Sequence, residues 1–263
     1  MKNLLHLLLK IFNKKIFNLN TDLFELRKLI SELRPIKTEY ELIRIGNSED
    51  GGYLLPDDLK DIEAIFSPGV SDIYSFELEM LEKYRVKSYM CDFTVDKIKP
   101  NNNELIFEKK HLGVNNNFKY QRLEDWVGIN SKTNNLILQM DIEGSEYPVI
   151  LDTPINILKK FRIMVIEFHN MDLLFNAQFF EVFKSVMNKI LTHFSVVHIH
   201  PNNCCGSYTY KDIEIPRLME ITFINNKRLS KKNYPNVRSK RHKLDIDNTK
   251  MQRLDLPKIW HSN

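Results

Sequence analysis

One stretch of the sequence reads Leu136-Ile-Leu-Gln-Met-Asp141-Ile-Glu143-Gly-Ser-Glu146, and it decides the fold class. A short apolar run that ends in a glycine turn and leads into a helical pattern over 146–160 predicts a strand–turn–helix unit. Further strands are predicted at 64–67, 86–91, 104–108, 163–166, 195–200 and 218–225, and further helices at 74–84 and 177–192. This alternation predicts an α/β fold: one mostly parallel, twisted sheet with helices on both faces.

The chain has 263 residues, of which 43% are hydrophobic and 27% are charged. These proportions are typical of a globular protein and exclude collagen-like, low-complexity and disulfide-scaffold classes. No apolar run reaches the roughly 18 residues that a membrane-spanning helix needs, so we expect no integral membrane protein. We expect an N-terminal helical extension over 1–37, a central domain over 38–225, and a basic extension over 226–263 that packs on the same domain.

Charge is distributed unevenly along the chain. Residues 1–20 carry four lysines and no acid, and residues 226–263 carry eleven Lys or Arg against three Asp, so the body over 21–225 has a net charge of −8. An acidic body argues against a nucleic-acid partner. The basic tail is either a solvated surface or a site for phosphate groups.

The N-terminal segment combines lysines with apolar residues at helical spacing. Its apolar stretch is short, is broken by His6 and Lys10, and lacks a small-residue cleavage site, which argues against a signal peptide. A basic amphipathic helix over 1–20 either makes peripheral contact with an anionic membrane or packs on its own domain or on a second subunit of a homo-oligomer. A second helix is predicted over 21–34, with Thr21 as its N-cap.

The three cysteines, Cys91, Cys204 and Cys205, do not form a disulfide framework. The adjacent Cys204 and Cys205 are either a redox or metal pair or simply two reduced thiols. Cysteine usage of this kind predicts a cytoplasmic protein.

The residues that end the predicted strands indicate where a ligand binds, because ligands lie at the carboxyl ends of strands in open parallel sheets. The first of these strands ends in a turn at Ser67-Pro-Gly69, where glycine lets a backbone approach a ligand closely. The second ends in Asp92-Phe-Thr94, roughly 20 residues later, where an acidic side chain commonly accepts hydrogen bonds from the hydroxyls of a ribose. Together these features favour a nucleoside-containing cofactor, although Asp92 could instead cap the next segment.

Three later strands deliver acids, imidazoles and amides to the same edge of the sheet. They end in Asp141-Ile-Glu143-Gly-Ser-Glu146, in Glu167-Phe-His169, and in His198-Ile-His200-Pro-Asn202-Asn203. Histidine beside carboxylates is either a general base with its orienting partner or the ligand shell of a divalent metal. Either chemistry predicts a functional site at this edge.

The order of these motifs resembles the FkbM-like family of S-adenosylmethionine-dependent methyltransferases over about residues 40–225. The resemblance rests on Arg44-Ile-Gly46, Asp50-Gly-Gly-Tyr53, Ser67-Pro-Gly69-Val-Ser71-Asp72, Ser75-Phe76-Glu77, Asp92-Phe-Thr94, Leu123-Glu124, Met140-Asp-Ile-Glu-Gly-Ser-Glu146, Glu167-Phe-His169 and His198-Ile-His200-Pro-Asn202-Asn203. It implies a Rossmann-like class I methyltransferase domain over 38–225 that most often methylates oxygen, on sugars or natural products. Ser67 and Pro68 depart from the glycine-rich turn of the wider superfamily.

Carried over to this sequence, the resemblance implies a set of residues that bind S-adenosylmethionine. Ser67, Gly69, Ser75, Phe76 and Glu77 would lie along its methionine part. Asp92 and Thr94 would hold the ribose, and Lys110 and His111 would border the adenine. Asp141 would face the sulfonium end, and the loop from Asp50 to Tyr53 would fold over the cofactor or form a simple tight turn.

The expected chemistry is removal of a proton from an acceptor hydroxyl while the methyl group is transferred. His169 is the expected base, oriented by Glu167 or Asp141, with His200 as the alternative. Glu143, His198, Asn202 and Asn203 are expected to position the acceptor. That acceptor is expected to be a saccharide or sugar nucleotide in surface (capsular) polysaccharide biosynthesis.

Three alternatives to this mechanism and function remain open on the sequence. A divalent metal held by Asp141, Glu167 and His169 would assist the same transfer. A metal-dependent hydrolase or phosphoesterase would use the same cluster without an adenosyl cofactor. A non-catalytic membrane-associated module would depend on residues 1–20 and the basic tail.

Overall fold

The computed structural model describes residues 20–96, 102–231 and 234–261. Their strands are β1 (Leu42–Gly46), β2 (Gly52–Pro56), β3 (Ala64–Pro68), β4 (Lys87–Cys91), β5 (Leu105–Glu108), β6 (His111–Gly113), β7 (Tyr120–Arg122), β8 (Leu136–Met140), β9 (Phe161–Phe168), β10 (Phe194–Pro201), β11 (Ser207–Tyr210), β12 (Ile213–Pro216) and β13 (Met219–Asn225). Their α-helices are α1 (Leu23–Glu32), α2 (Ser75–Tyr84), α3 (Leu123–Asn130), α4 (Glu146–Asp152), α5 (Ile155–Leu158) and α6 (Ala177–Leu191). Short 3-10 helices lie at Met171–Phe175, Asn226–Arg228 and Lys258–Trp260.

A seven-stranded sheet in the order β10-β13-β9-β8-β3-β4-β5 forms the centre of the molecule. Neighbouring strands are parallel except at β13, which is antiparallel to both β9 and β10. The chain moves outward from β3 through β4 to β5, and then returns to the other side of β3 at β8. This is the doubly wound order of a Rossmann-like fold, so the predicted α/β class is confirmed.

Side chains of the central strands alternate between the two faces of the sheet. Phe66 and Leu138 belong to the larger buried cluster, into which α1, α3, α4 and α6 pack. Ile65 and Ile137, one residue earlier on the same strands, belong to a second cluster with α2 and the β1–β2 hairpin. Burial of both faces explains why most residues of β3 and β8 are apolar.

The predicted helices are present, with local differences at their ends. Asp22, rather than Thr21, caps α1 by accepting hydrogen bonds from the backbone N–H groups of Phe24 and Glu25. Thr21 is buried, and its hydroxyl donates to the carbonyl of Leu174. The helix predicted over 146–160 is two helices, because Pro154 lacks the N–H that would continue α4.

Residues 234–261 run back across the domain. The Val237 N–H donates to the carbonyl of Pro35 at 2.7 Å, and the indole of Trp260 is fully buried. Many cations of this basic region pair with carboxylates of the same chain: Arg228 with Asp58, Arg241 and Arg253 with Asp247, and Lys240 with Asp255. Asp247 and Asp255 belong to the basic extension itself, and Asp58 of the central domain neutralises one further cation.

The amphipathic helix expected over 1–20 falls almost entirely outside the described residues. Across 20–96, 102–231 and 234–261, no helix combines the length and apolar character that crossing a membrane requires.

Candidate active site

A cavity of about 510 Å³ opens at the carboxyl edge of the sheet, where the strand order reverses between β3 and β8. Ligands of doubly wound sheets bind at this switch point, and the volume is that of a small-molecule or cofactor site. Its walls include the predicted site residues Tyr53, Gly69, Phe76, Glu77, Asp92, Thr94, His111, Asp141 and Glu143. The other predicted site residues lie outside the wall: Ser67, Ser75, Lys110, Glu167, His169, His198, His200, Asn202 and Asn203.

The floor of the cavity is the turn after β3. Gly69 has a φ of +84°, and its N–H donates to the carbonyl of Cys91 at 2.8 Å. A Cβ at this position would lie 1.5 Å from the carbonyl oxygen of Asp141. The backbones that follow β3 and β8 therefore touch, and glycine is required for both the backbone conformation and the contact.

Asp92 organises the wall at the end of β4. One carboxylate oxygen accepts the backbone N–H of Ser71 at 2.9 Å, and the other accepts the N–H and hydroxyl of Thr94 at 2.7 and 2.6 Å. The side chain is only 8% exposed, yet it borders the cavity. Asp92 thereby fixes the two loops that flank this end of the cavity.

Three rings stand side by side along the next part of the wall. The ring centroids of Phe93 and His111 are 5.1 Å apart, and those of His111 and Tyr120 are 5.2 Å apart. His111 and Tyr120 both line the cavity, whereas the adjacent Lys110 does not. A row of flat rings beside a carboxylate suits a planar base next to a ribose.

Asp141 and Glu143 of the cavity wall belong to a cluster of carboxylates around His169. Nε2 of His169 lies 3.3 Å from Glu143 Oε2 and 3.7 Å from Asp141 Oδ1. Nδ1 lies 3.0 Å from Oε1 of the fully buried Glu146, which also accepts the N–H groups of Ile142 and Gly144. Glu146 therefore fixes the imidazole, with Nε2 directed toward the cavity residues.

The orienting contact from Glu146 differs from the expected one, in which Glu167 or Asp141 orients the ring. β9 ends at Phe168, so strand alternation does not place His169 beside Glu167. Glu167 accepts instead from the amide of Asn202, at 3.1 Å.

Burial and neighbouring charges raise the pKa values of Asp141 and His169 in this cluster. Burial raises the pKa of Asp141 to about 7; the imidazole of His169 opposes that shift, and the Glu143 carboxylate adds to it. Burial lowers the pKa of His169, but the hydrogen bond to Glu146 and the nearby carboxylates outweigh it, and the net pKa is raised. Asp141 and His169 therefore both hold a proton to higher pH than a free carboxyl or imidazole does, which suits them to proton transfer.

Glu77 lines the cavity from the first turn of α2 and is 2% exposed. Burial raises its pKa to about 7 from an ordinary value of 4.5. The native state therefore keeps a proton that the unfolded state loses, so the free energy of unfolding falls as the pH rises through this interval.

We expect Glu77→Gln to remove this pH dependence. The variant should gain stability over the wild type between pH 4.5 and 7 by about 3 kcal/mol, and the gain should level off above pH 7. Chemical denaturation across this range measures it. Glu82→Gln, on an exposed position of the same helix, is the matched control and should follow the wild type. A gain that did not change with pH would contradict the assignment.

A second polar cluster lies beside the cavity at the ends of β9 and β13. The amide nitrogen of Asn248 donates to Glu220 Oε1 at 2.7 Å and to Asp50 Oδ1 at 3.1 Å. Burial raises the pKa of Glu220, and it raises that of Glu167 well above its ordinary value. One carboxylate oxygen from each of Asp50, Glu167 and Glu220 lies within 4.8 Å of the other two, a spacing that could hold a metal ion.

His198, His200 and Asn203 face the chain segment that contains Asn248. Nε2 of His198 lies 2.9 Å from Asp245 Oδ1. The amide of Asn203 donates to the carbonyl of Thr249 at 3.0 Å and accepts its N–H at 2.9 Å. These three predicted residues thus contact residues 245–249, and the structure does not bring them to the cavity wall.

Sequence reasoning left several residues of the site without a role. Glu146 stood in the quoted motif, but nothing in the pattern tied it to His169. The sequence did not indicate that Glu220 lies at the site. β13 is antiparallel to β9, so the first residues of β13 lie at the edge of the sheet where the parallel strands end. Asp245 and Asn248 lie in a region that its charge marked only as a basic tail. Gln139 donates to the hydroxyl of Tyr53 at 3.1 Å. It is the polar residue of an otherwise apolar strand, and this polarity was the sequence signal that could have assigned it to the site.

Comparison with known proteins gives few relatives. No protein-family model matches the sequence, and no curated protein matches it. Among solved structures, the chain is similar to a chain of the fibrillarin/Nop5p complex, with 16% sequence identity over 62% of this chain and 73% of that chain and a TM-score of 0.35. It is also similar to TrmK of M. capricolum, solved with S-adenosylhomocysteine, with 11% identity over 66% of this chain and 70% of that chain and a TM-score of 0.33. Such low identities and TM-scores decide neither the activity nor the substrate.

Proposed function

We propose that this protein is an S-adenosylmethionine-dependent methyltransferase of the FkbM-like type. The observation that carries the proposal is the cavity at the switch point of the sheet. Its wall has a carboxylate at the end of β4, a row of rings beside that carboxylate, and Asp141, which is paired with His169.

The residues of the cavity fit the proposed cofactor. Asp92 stands where a ribose is commonly held, and His111 and Tyr120 offer flat surfaces for adenine. Gly69 and Glu77 also line the cavity, and the Gly69 backbone meets that of Asp141, so we assign the methionine moiety to this part of the wall. When bound, S-adenosylmethionine supplies an electrophilic methyl group for transfer to a nucleophile.

His169 is the proposed general base for the acceptor. Nδ1–H donates to the buried Glu146, which leaves the lone pair of Nε2 on the side of Asp141 and Glu143. The proton of an acceptor hydroxyl would pass to Nε2 as the oxygen becomes nucleophilic. Glu146 stabilises the resulting imidazolium, and Asp141 accepts a hydrogen bond from either the acceptor or the ring.

The proposed acceptor is a hydroxyl of a saccharide or a sugar nucleotide of surface polysaccharide biosynthesis. Support for it comes from the resemblance and from the carboxylates at the mouth of the cavity. The Glu143 side chain is 87% exposed, and Asp50 is an exposed residue of the same cavity wall, so both can accept hydrogen bonds from sugar hydroxyls. We propose accordingly that Glu143 positions the acceptor.

We expect S-adenosylmethionine and S-adenosylhomocysteine to bind the wild-type protein and to bind Asp92→Ala about 100-fold more weakly. The variant loses both the carboxylate that faces the ribose and the contacts that hold Ser71 and Thr94. Isothermal titration calorimetry measures the binding, and Asp92→Asn separates loss of charge from loss of the loop contacts.

The matched control is Asp96→Ala, because Asp96 is fully exposed and pairs only with Lys109 among the described ion pairs. It should bind both ligands as the wild type does. Absence of binding by wild-type protein that unfolds cooperatively on heating would overturn the proposed function.

A metal-dependent hydrolase is the second candidate, and one observation favours it. Ligand atoms of Asp141, Glu143 and His169 lie within 4.8 Å of one another, as a divalent ion requires. This set of metal-ligating side chains contains Glu143, whereas the set expected from the sequence contained Glu167 with Asp141 and His169. Phosphoester hydrolysis that a chelator abolishes, without binding of either adenosyl compound, would favour this candidate.

A further inference from the structure

A separate group of metal-ligating side chains lies where residues 242–249 cross the end of β10. His198 and His200 are two residues apart on β10, and both imidazoles approach the same oxygen, Oδ1 of Asp245, at 2.9 and 3.8 Å. The exposed fractions of the three side chains are 9%, 6% and 2%. All three ligand atoms lie within 4.8 Å of one another.

The atoms that converge are the ones without a hydrogen bond. Nε2 of His198, Nδ1 of His200 and Oδ1 of Asp245 are buried, and none of them has a partner with hydrogen-bond geometry. The outer atoms of two of these side chains are in use: His200 Nε2 lies 3.1 Å from Asn248 Oδ1, and Asp245 Oδ2 accepts the N–H of His242 at 2.7 Å. Bonded outer atoms with free inner atoms are the pattern of metal ligands with their supporting shell.

The hydrogen bonds of Asn248 determine which nitrogen of His200 carries a proton. Its amide nitrogen donates to two carboxylates, those of Glu220 and Asp50, so its oxygen is the atom that faces His200. Nε2 of His200 must therefore donate, and in the neutral ring the lone pair lies on Nδ1. That lone pair points at a carboxylate oxygen, an arrangement that a cation between them would stabilise.

The spacing and ligand types favour one class of ion. In a tetrahedral zinc site, bonds of about 2.0–2.1 Å place ligand atoms about 3.3 Å apart, between the two distances found here. Imidazole nitrogens suit zinc and similar transition metals, whereas magnesium and calcium prefer oxygen ligands throughout. Three protein ligands leave one position for water.

We propose that His198, His200 and Asp245 bind a divalent transition-metal ion of the Zn²⁺ class, which fastens residues 242–249 to the end of β10. Asn203 holds the next residues of the same segment through the backbone of Thr249 and Met251. The ion would thus add metal–ligand bonds to the hydrogen bonds that already hold this segment against the end of β10. This site does not depend on the proposed methyl transfer.

The test uses the full chain, stripped of metal by a chelator and dialysed against Zn²⁺. We expect one Zn²⁺ per chain by elemental analysis, and a loss of affinity of more than about 100-fold in His198→Gln and in Asp245→Asn. His193→Gln, which alters a histidine just before β10, and Asp141→Asn, in the cavity cluster, are the controls and should bind Zn²⁺ as the wild type does.

Two further measurements do not depend on the variants folding. Co²⁺ in the wild-type protein should give the visible absorption of a tetrahedral site with nitrogen and oxygen ligands. Zn²⁺ should also slow hydrogen exchange of amides in 242–249 more than elsewhere. Three results would overturn the proposal: no stoichiometric Zn²⁺ in the folded wild type, Zn²⁺ binding lost in Asp141→Asn but kept in His198→Gln, or unchanged exchange in this segment.

Discussion

Gly69→Ala is expected to destabilise the protein by more than about 3 kcal/mol, through two costs that act together. A φ of +84° strains any residue that has a Cβ, by about 1–2 kcal/mol. The new Cβ would also overlap the carbonyl oxygen of Asp141 at 1.5 Å. Relief of that overlap requires the ends of β3 and β8 to separate, which disrupts the floor of the cavity. Chemical denaturation and titration with S-adenosylhomocysteine measure the two consequences.

Substitutions at two other glycines allow the cost of backbone strain to be measured apart from the cost of steric overlap. Gly206 has a φ of +67° and Gly128 lies in α3, and a Cβ at either would meet no atom within 4 Å. Gly206→Ala should therefore cost only the backbone strain, and Gly128→Ala should be neutral or stabilise by about 0.5–1 kcal/mol. If Gly69→Ala cost no more than Gly206→Ala, the close approach of β3 and β8 would be contradicted.

His169→Asn is expected to lower kcat for methyl transfer about 100- to 10,000-fold while S-adenosylhomocysteine still binds. His169 is not one of the residues that line the cavity, although its Nε2 faces Asp141 and Glu143 of the wall, so the binding surface for the cofactor remains. In the wild type, kcat should rise with pH as Nε2 loses its proton, and this limb should lie above pH 6.5 because the pKa of His169 is raised. The assay is transfer of a labelled methyl group to acceptors found by screening sugar nucleotides.

Glu146→Gln tests the positioning contact separately. Glu146 touches His169 rather than the reacting atoms, and its charge helps to raise the pKa of His169. The variant should shift the rising limb of the pH profile to lower pH as well as lower kcat, an effect that a purely structural role would not produce. An unchanged pH profile in Glu146→Gln, or full activity in His169→Asn, would assign the base to another group.

The elements that position the cavity could be predicted because local pattern determines them. β8 begins and ends where its apolar run does, and Gly69 and Asp92 follow their strands directly in sequence. Since parallel strands bring such residues to one edge, order along the chain was enough to place Asp141 and Asp92 at the same cavity.

The remainder of the site depends on contacts between distant segments. Glu220 reaches the edge only because β13 runs against its neighbours, a direction that its apolar pattern does not encode. Asp245 and Asn248 are brought to His198 and His200 by a segment without regular secondary structure, and composition marked that segment only as basic. Strand periodicity correctly paired His198 with His200 but could not supply the carboxylate that faces them.

The crossing of residues 242–249 over β10 has a consequence for protein synthesis. The ribosome releases all seven strands of the central sheet before Asp245 and Asn248 emerge. In a nascent chain at that stage, Glu220 lacks the amide of Asn248, and Asn203 lacks its backbone partners. A chain that stops before residue 245 leaves these groups open to water, and it also lacks Trp260, which is fully buried in the larger hydrophobic cluster. Synthesis of residues 245–260 therefore completes both the polar contacts at this edge of the sheet and the larger hydrophobic cluster.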